Sequence, residues 1–262
     1  MVVSAAPAAL AQAHEALAAL ATAQAESTTL VVQAPSGARW ASDPAAAERQ
    51  SVPASTFKIA STLAALEAGL VEDASSILPW DGIHRDREEI NADLTLRDAF
   101  HRSALPHFQA LVRRLGPDAM AAFLLRVGYG NAQSNEGVEF WLRGPLAISP
   151  LEQITFLEAL RARRLAASPA AQATLWALME KAPLKGQPWR GKTGWSRPLA
   201  GPDVGWFVGA LEGARGPCFV VVRLETDSPN PATFLPRREA LAQDALNAFP
   251  ACRPPAPGEI SG

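Results

Sequence analysis

The sequence of 262 residues contains few cysteines, few lysines and one tyrosine. Two cysteines, Cys218 and Cys252, are too few for a disulfide framework. Cys218 lies in an apolar, strand-like run and Cys252 in a Pro-rich tail. We therefore expect a buried small hydrophobic residue and a tail thiol, in preference to a bridge between the two.

Long apolar runs and an excess of positive charge are also lacking. No apolar run reaches about 18 residues, so the sequence predicts no membrane span. The chain has 24 Lys+Arg, 26 Asp+Glu and a net charge of −2, without a dense basic run, which argues against nucleic-acid binding. Hydrophobic residues make up 48% and charged residues 19%, which excludes a disordered or fibrous chain.

The N-terminal stretch leaves two interpretations open. Ala11-Gln12-Ala13 has the A-x-A form of a signal-peptide cleavage site, but a charged region before it and a solid apolar segment are missing. The stretch is either the remainder of an export signal or the start of an Ala-rich helix.

Strand patterns lie at both ends of the chain and helical patterns in the middle. The predicted strands are Thr28–Gln33, Ala38–Ala41, Trp189–Gly194, Val204–Leu211 and Cys218–Glu225. Helices are predicted over Pro7–Ala25, over much of 55–181 and over Arg237–Phe249, with loops at Asp43–Val52 and Gly128–Pro145. We predict an α/β fold of the α+β type, in which a mainly antiparallel sheet is flanked by helices and carries an inserted helical lobe.

We expect one catalytic unit with two lobes. The sheet lobe is predicted over about 1–52 and 187–250, the helical lobe over about 55–185, and a frayed tail over 251–262.

The first candidate site is Ser55 and Lys58, which lie three residues apart and therefore on one face of a predicted helix. A serine hydroxyl needs a nearby base to become a nucleophile, and a lysine whose pKa is lowered by burial can be that base. The alternative is a helix-capping serine beside a solvated lysine. The pair alone does not decide between these two readings.

The second candidate is Lys192-Thr193-Gly194 in a predicted strand, which offers a positive charge and a hydroxyl to an anion. Alone it reads equally well as a strand flanked by turns. Lysine occurs at only four positions, Lys58, Lys181, Lys185 and Lys192, and two of them fall in these motifs. Ser-x-x-Lys followed by Lys-Thr-Gly resembles the serine β-lactamases and penicillin-binding proteins.

Further motifs in the same order narrow this resemblance to the class D (oxacillinase-type) β-lactamases. They are Ser103-Ala104-Leu105, Tyr129-Gly130-Asn131, Phe140-Trp141-Leu142 and Gly205-Trp206-Phe207-Val208-Gly209. The resemblance runs from about Thr28 to Phe249, and it implies the fold of the serine β-lactamases and penicillin-binding proteins.

The resemblance implies that Ser55 is the nucleophile that opens a β-lactam ring and forms an acyl-enzyme. It implies that Lys58 is the general base for acylation and deacylation, after CO2 has carboxylated its amine. By similarity, the indole N–H of Trp141 donates to this carbamate. No other cofactor is implied, and the four histidines, His14, His84, His101 and His107, lack metal-like spacing.

By the same resemblance, Ser103 relays a proton to the leaving nitrogen and Lys192 supports that transfer. The residues assigned to substrate binding are Leu105, Thr193, Gly194, Trp195 and Arg238. Arg238 is favoured over Arg237 because of the apolar spacing that follows it. Tyr129 and Asn131 are supporting residues whose loop has an equally good structural interpretation.

Leu105 stands where valine is common in the family. Because its side chain is larger and is expected near Lys58, slow turnover remains an alternative. The alternative to a hydrolase is therefore a β-lactam-binding sensor or a weakly active relative that is acylated but deacylates slowly. A peptidoglycan transpeptidase is a third reading, which Trp141 and Ser103-Ala104-Leu105 argue against. We expect small-molecule β-lactam substrates, a periplasmic or secreted location, and a monomer or homodimer.

Overall fold

The computed structural model describes residues 7–134, 137 and 139–253. Its strands are β1 (Ser27–Gln33), β2 (Arg39–Ala41), β3 (Ile77–Leu78), β4 (Leu94–Thr95), β5 (Trp189–Ser196), β6 (Asp203–Gly213) and β7 (Gly216–Thr226). Its helices are α1 (Pro7–Thr22), α2 (Pro44–Glu48), α3 (Lys58–Glu67), α4 (Leu96–His101), α5 (Leu105–Leu115), α6 (Pro117–Val127), α7 (Pro150–Arg161), α8 (Pro169–Leu178) and α9 (Pro231–Ala248).

The two ends of the chain share one sheet. Five strands pair antiparallel in the order β2-β1-β7-β6-β5, so that β1 near the start lies beside β7 near the end. The strands β3 and β4 form a separate pair. The prediction of an antiparallel sheet flanked by helices is confirmed.

The sheet is buried on both faces, as the alternation along β7 shows. Val220 and Val222 pack into a core with α1 and α9, whereas Val221 packs into the larger core formed with the central helices. Successive side chains of a strand point to opposite faces, so one run of valines serves both cores. The sheet therefore joins the terminal helices to the helical middle of the chain.

Two local predictions were incomplete. The polar segment predicted as a loop over Asp43–Val52 contains α2, whose first turn is capped by the Asp43 carboxylate accepting from the amide of Ala46. The last helix begins at Pro231, six residues before the prediction, because Asn230 caps it and Pro236 is accommodated inside it. None of the helices in the described part of the chain is long and apolar enough to cross a membrane.

The expectation of two free cysteines was wrong, because Cys218 and Cys252 form a disulfide. Helix α9 packs along β7 and returns the chain to that strand, where a 3-10 turn over Pro250–Cys252 places Cys252 beside Cys218. The remainder of the predicted tail, beyond Arg253, lies outside the described residues, as do residues 1–6 of the N-terminal stretch.

We expect Cys252→Ser to lower the free energy of unfolding by about 2–4 kcal/mol, because the bridge closes a loop between residues 34 apart. Urea unfolding under non-reducing conditions measures the change. The wild type in reductant should then match the variant, which itself should not respond to reductant. Equal stability of the two proteins without reductant would contradict the bridge.

Candidate active site

The structure brings Ser55 and Lys58 together at the start of α3. Ser55 lies in a 3-10 turn, Ala54–Phe57, that runs directly into the helix, and Lys58 is the first helical residue. The Lys58 Nζ donates a hydrogen bond of 3.1 Å to the Ser55 Oγ. The alternative of a helix-capping serine beside a solvated lysine is excluded. Lys58 is only 1% exposed, and Ser55 caps neither the 3-10 turn nor α3.

The surroundings of Lys58 favour its neutral form. Burial, and then the positive charge of Arg87, lower its pKa to about 7. Its Nζ lies 5.0 Å from the centre of the Phe108 ring, and no acidic side chain in the described ranges forms an ion pair with it. A large fraction of Lys58 is therefore a free amine near neutral pH, able to accept a proton or attack an electrophile.

Trp141 presents a buried donor beside the same turn. Its ring stacks on Phe57 with centroids 5.0 Å apart, and its carbonyl accepts from the amide of Ala54 at 2.9 Å. The indole N–H is buried and finds no hydrogen-bond partner among the described residues. An unpaired buried donor costs about 1–3 kcal/mol, so this N–H is available to an acceptor that is not among the described residues.

A second buried lysine, Lys192, is hydrogen-bonded to a second serine, Ser103. The Lys192 Nζ donates to the Ser103 Oγ at 2.5 Å and to the carbonyl of Thr193 at 2.9 Å. Burial, followed by the charges of Lys58 and Arg238, lowers the pKa of Lys192 well below its ordinary value. This arrangement can pass a proton between the Ser103 hydroxyl and a group bound in front of it.

A backbone conformation with positive φ, which L-residues rarely adopt, occurs at or next to each of the two serines. Ala54, immediately before Ser55, has φ of 52°, and Ser103 itself has φ of 53°. Such conformations cost about 1–3 kcal/mol each and persist only where the surrounding structure imposes them. Each of them directs a hydroxyl toward one of the two lysines.

Strand β5 lies directly against the Ser55 turn. A Cβ at Gly194 would lie 3.1 Å from the carbonyl oxygen of Pro53 and 3.2 Å from the amide nitrogen of Ser55, tighter than ordinary contact. Glycine at this position therefore allows the close approach. Because β5 is an edge strand, some of its backbone N–H groups lack a partner strand and are available to a ligand.

Arg238 on α9 reaches the same strand. Its Nη1 donates to the carbonyl of Gly194 at 2.5 Å, and its Nε donates to the carbonyl of Leu235 at 2.8 Å. Burial lowers its pKa to about 10, so the guanidinium stays charged at neutral pH. Arg237 instead pairs with Glu26 at 2.6 Å, so the helical spacing that favoured Arg238 selected the residue facing the site.

These groups surround a cleft of about 510 Å³. The predicted site residues that line it are Ser55, Ser103, Leu105, Thr193, Gly194, Trp195 and Arg238. Lys58, Lys192 and Trp141 are buried close to these residues. Among the described residues, no group of three or more His, Cys, Asp or Glu side chains is arranged to hold a metal ion.

Tyr129 and Asn131 do not line the cleft. Tyr129 is buried edge-on against Phe156, with ring centroids 5.0 Å apart, and burial raises the pKa of its hydroxyl. Asn131 accepts from the amide of Ala147 at 3.1 Å and donates to the carbonyl of Pro145 at 2.8 Å. Their contacts are those of a structural loop that supports the site.

Five cleft residues were not predicted as site residues: two leucines, Leu142 and Leu235, and three residues with polar or charged side chains. Arg87 comes from the loop over 79–93, and His101 and Arg102 come from the end of α4. The His101 Nε2 lies 2.9 Å from the carbonyl oxygen of Leu178. No local pattern marks these residues, because loop packing alone brings them to the cleft.

The fold and this pair of serine–lysine contacts define the penicillin-binding class of serine enzymes. The model of the penicillin-binding protein transpeptidase domain matches residues 10–246. Curated relatives include β-lactamase OXA-2 of Salmonella typhimurium, 35% identical over 81% of this chain and 75% of that protein. β-Lactamase OXA-10 of Pseudomonas aeruginosa is 33% identical over 76% of this chain and 75% of its own.

Solved structures agree with this assignment. The class D β-lactamase YbXI from Nostoc superposes with a TM-score of 0.81 at 31% identity, covering 90% of this chain and 97% of the other. A class D β-lactamase from Sebaldella termitidis gives a TM-score of 0.83 at 29% identity, covering 88% and 94%. This chain belongs to the class D β-lactamase family of serine enzymes.

We expect Lys58→Met to stabilise the protein in CO2-free buffer, by on the order of 2 kcal/mol at pH 7 and below. In the unfolded chain the lysine has its ordinary pKa of about 10.4, whereas burial lowers it to about 7 in the folded protein. Between these values the unfolded state binds more protons, so the wild type gains stability as the pH rises. The advantage of the variant should therefore shrink from pH 7 toward pH 10, as followed by urea unfolding.

The matched control is Lys181→Met, which removes a half-buried lysine that pairs with Glu239 at 3.2 Å. It should change stability by less than about 1 kcal/mol without this pH trend. If Lys58→Met destabilised the protein at pH 7, this result would contradict the conclusion that burial lowers the pKa of Lys58.

Proposed function

We propose that this protein hydrolyses β-lactams through an acyl-enzyme on Ser55. The observation that carries the proposal is the buried Lys58 amine 3.1 Å from the Ser55 Oγ, at the edge of a cleft that the hydroxyl lines. The Ser55 Oγ bonds to the lactam carbonyl carbon, the ring C–N bond breaks, and the ring nitrogen receives a proton. Water then hydrolyses the resulting ester and regenerates the Ser55 hydroxyl.

Lys58 is proposed as the base, after carboxylation by CO2. Its neutral amine forms an N–C bond to CO2 and loses one proton, which leaves a carbamate anion. Two observations support this modification: the pKa of Lys58 is lowered to about 7, and the buried Trp141 N–H lacks a partner among the described residues. A carboxylated lysine supplies an oxygen base for acylation and for activating the deacylating water.

Ser103 and Lys192 are proposed to deliver the proton to the ring nitrogen. The Ser103 hydroxyl donates its proton to the nitrogen as the C–N bond breaks. The proton that the base takes from Ser55 then returns to the Ser103 oxygen by way of the Lys192 amine. The support is the 2.5 Å contact between the Lys192 Nζ and the Ser103 Oγ. Removal of the Ser103 side chain leaves the ring nitrogen without its donor, and removal of the Lys192 side chain leaves Ser103 without the partner that restores its proton.

The β5 wall is proposed to bind the substrate. The Thr193 hydroxyl and the Arg238 guanidinium bind its carboxylate, and the backbone N–H groups of Ser55 and Trp195 stabilise the developing oxyanion. Gly194 keeps this wall close to the nucleophile, and Leu105 contributes apolar surface. The support is that these residues line the same cleft.

We further propose that the two lobes form one catalytic unit that works in the periplasm or outside the cell. Support for one unit comes from the site itself, which combines Ser55 and Lys58 of the helical region with Lys192 of the sheet. The disulfide between Cys218 and Cys252 supports an oxidising compartment, where such bonds persist.

Mixing with a penicillin should add its mass covalently to Ser55, and the adduct should decay as hydrolysed product accumulates. Ser55→Ala should give no adduct and lose activity at least about a thousandfold, whereas Ser75→Ala, an exposed loop serine, should behave as wild type. Intact-mass spectrometry over time measures both species. A persistent adduct would instead establish the slowly deacylating alternative, and hydrolysis without any adduct would overturn the mechanism.

Trp141→Phe should slow deacylation about tenfold or more, because it keeps an aromatic ring against Phe57 and removes the N–H. The variant should also need more bicarbonate than wild type to reach its maximal rate. Stopped-flow hydrolysis at several bicarbonate concentrations measures both effects, with Trp176→Phe as the control. A wild-type rate that does not respond to bicarbonate would remove the carbamate from the mechanism.

A further inference from the structure

Two arginines on one wall of the cleft hold each other's segments in place. The Arg87 Nη2 donates to the carbonyl of Arg102 at 2.7 Å, and the Arg102 Nη1 donates to the carbonyl of Glu89 at 2.7 Å. These reciprocal bonds fasten the loop over 79–93 to the end of α4. The two guanidinium groups are thus positioned by backbone contacts, at 50% and 42% exposure, before any ligand arrives.

The cleft that they line is strongly cationic. Its lining residues include Arg87, Arg102 and Arg238, and none of the described residues that line it is acidic. The nearest counter-charges are Glu89, 2.8 Å from Arg87, and Asp98, 3.9 Å from Arg102. Both carboxylates are about half exposed and do not line the cleft, so water screens them and they offset the arginines only in part.

Arg87 and Arg238 reach the cleft at different places. Arg238 is hydrogen-bonded to Gly194 on β5, whereas Arg87 comes from the loop over 79–93 and its charge acts on Lys58. If Thr193 and Arg238 bind the ring carboxylate of a substrate, that carboxylate does not reach Arg87. Arg87 is then available to a second anionic group of the same substrate.

We propose that Arg87, held by Arg102, forms a second anion subsite that recognises a negatively charged group on the side chain of the substrate. The proposal rests on the proposed β-lactamase function and names a substrate class within it. That class is the dianionic β-lactams, such as penicillins with a carboxylate or sulfonate on the acylamino side chain. The Arg87 Nε donates to Glu89 and its Nη2 to the carbonyl of Arg102, so its Nη1 is the donor that can reach such a group.

The test compares carboxybenzylpenicillin with benzylpenicillin, which differ only in the side-chain carboxylate. The measured quantity is the ratio of their kcat/KM values. Any effect of Arg87 on Lys58 or on loop order acts on both substrates, so the ratio isolates the second carboxylate. We expect Arg87→Gln to lower this ratio about fivefold at low ionic strength, the size of a partly exposed ion pair.

Two further variants separate charge from structure. Arg87→Lys, which keeps the charge, should hold the ratio within about twofold of wild type. Arg113→Gln, which removes an exposed arginine of α5 outside the cleft, should leave the ratio unchanged. Salt should reduce the wild-type ratio more than the Arg87→Gln ratio.

The outcomes distinguish the two proposals. Hydrolysis of both penicillins with the same ratio in wild type and Arg87→Gln overturns the subsite and leaves the β-lactamase function standing. An equal fall in the ratio for Arg113→Gln also overturns it, because net charge then explains the effect. No acylation or hydrolysis of either penicillin overturns the proposed function and the subsite with it.

Discussion

The site depends on burying an amine beside a hydroxyl without an acidic partner. Lys58 is almost fully buried, and its pKa is lowered by burial and then by the charge of Arg87. Lys192 is also buried, and its pKa is lowered by burial and then by the charges of Lys58 and Arg238. Keeping two lysines out of water destabilises the folded chain. The apolar packing of Phe57, Phe108 and the rest of the large core has to outweigh that cost. A solvated Lys58 would be an ordinary ammonium with no use as a base.

The site also depends on the sheet that joins both ends of the chain. Strand β5 has to pass within contact distance of the Ser55 turn, and the glycine at position 194 permits that approach. Its position is set by pairing with β6, which pairs with β7, which pairs with β1. Behind the sheet, α9 carries Arg238 to β5, and the Cys218–Cys252 bridge ties the end of that helix to β7. The contacts of the candidate site therefore depend on a sheet whose strands come from both ends of the chain.

Charge around the cleft serves two purposes. Positive groups near Lys58 and Lys192 favour neutral amines, and the same groups attract anionic substrates. Because none of the described lining residues is acidic, no side chain of the lining competes with a bound carboxylate for the arginines. The partly exposed arginines Arg87 and Arg102, together with Arg238, carry the positive charge of the cleft lining.

What the sequence by itself determined is mostly local. The spacing of Ser55 and Lys58, the strand patterns and the helical spacing that selected Arg238 over Arg237 all follow from periodicity over a few residues. The family resemblance added the roles of distant motifs that no local pattern assigns. Only the tertiary structure decided the disulfide, the burial that lowers the pKa of Lys58, the unpaired Trp141 N–H and the place of Arg87. These depend on segments far apart in the chain packing against one another, and such contacts leave no periodic signal in the sequence.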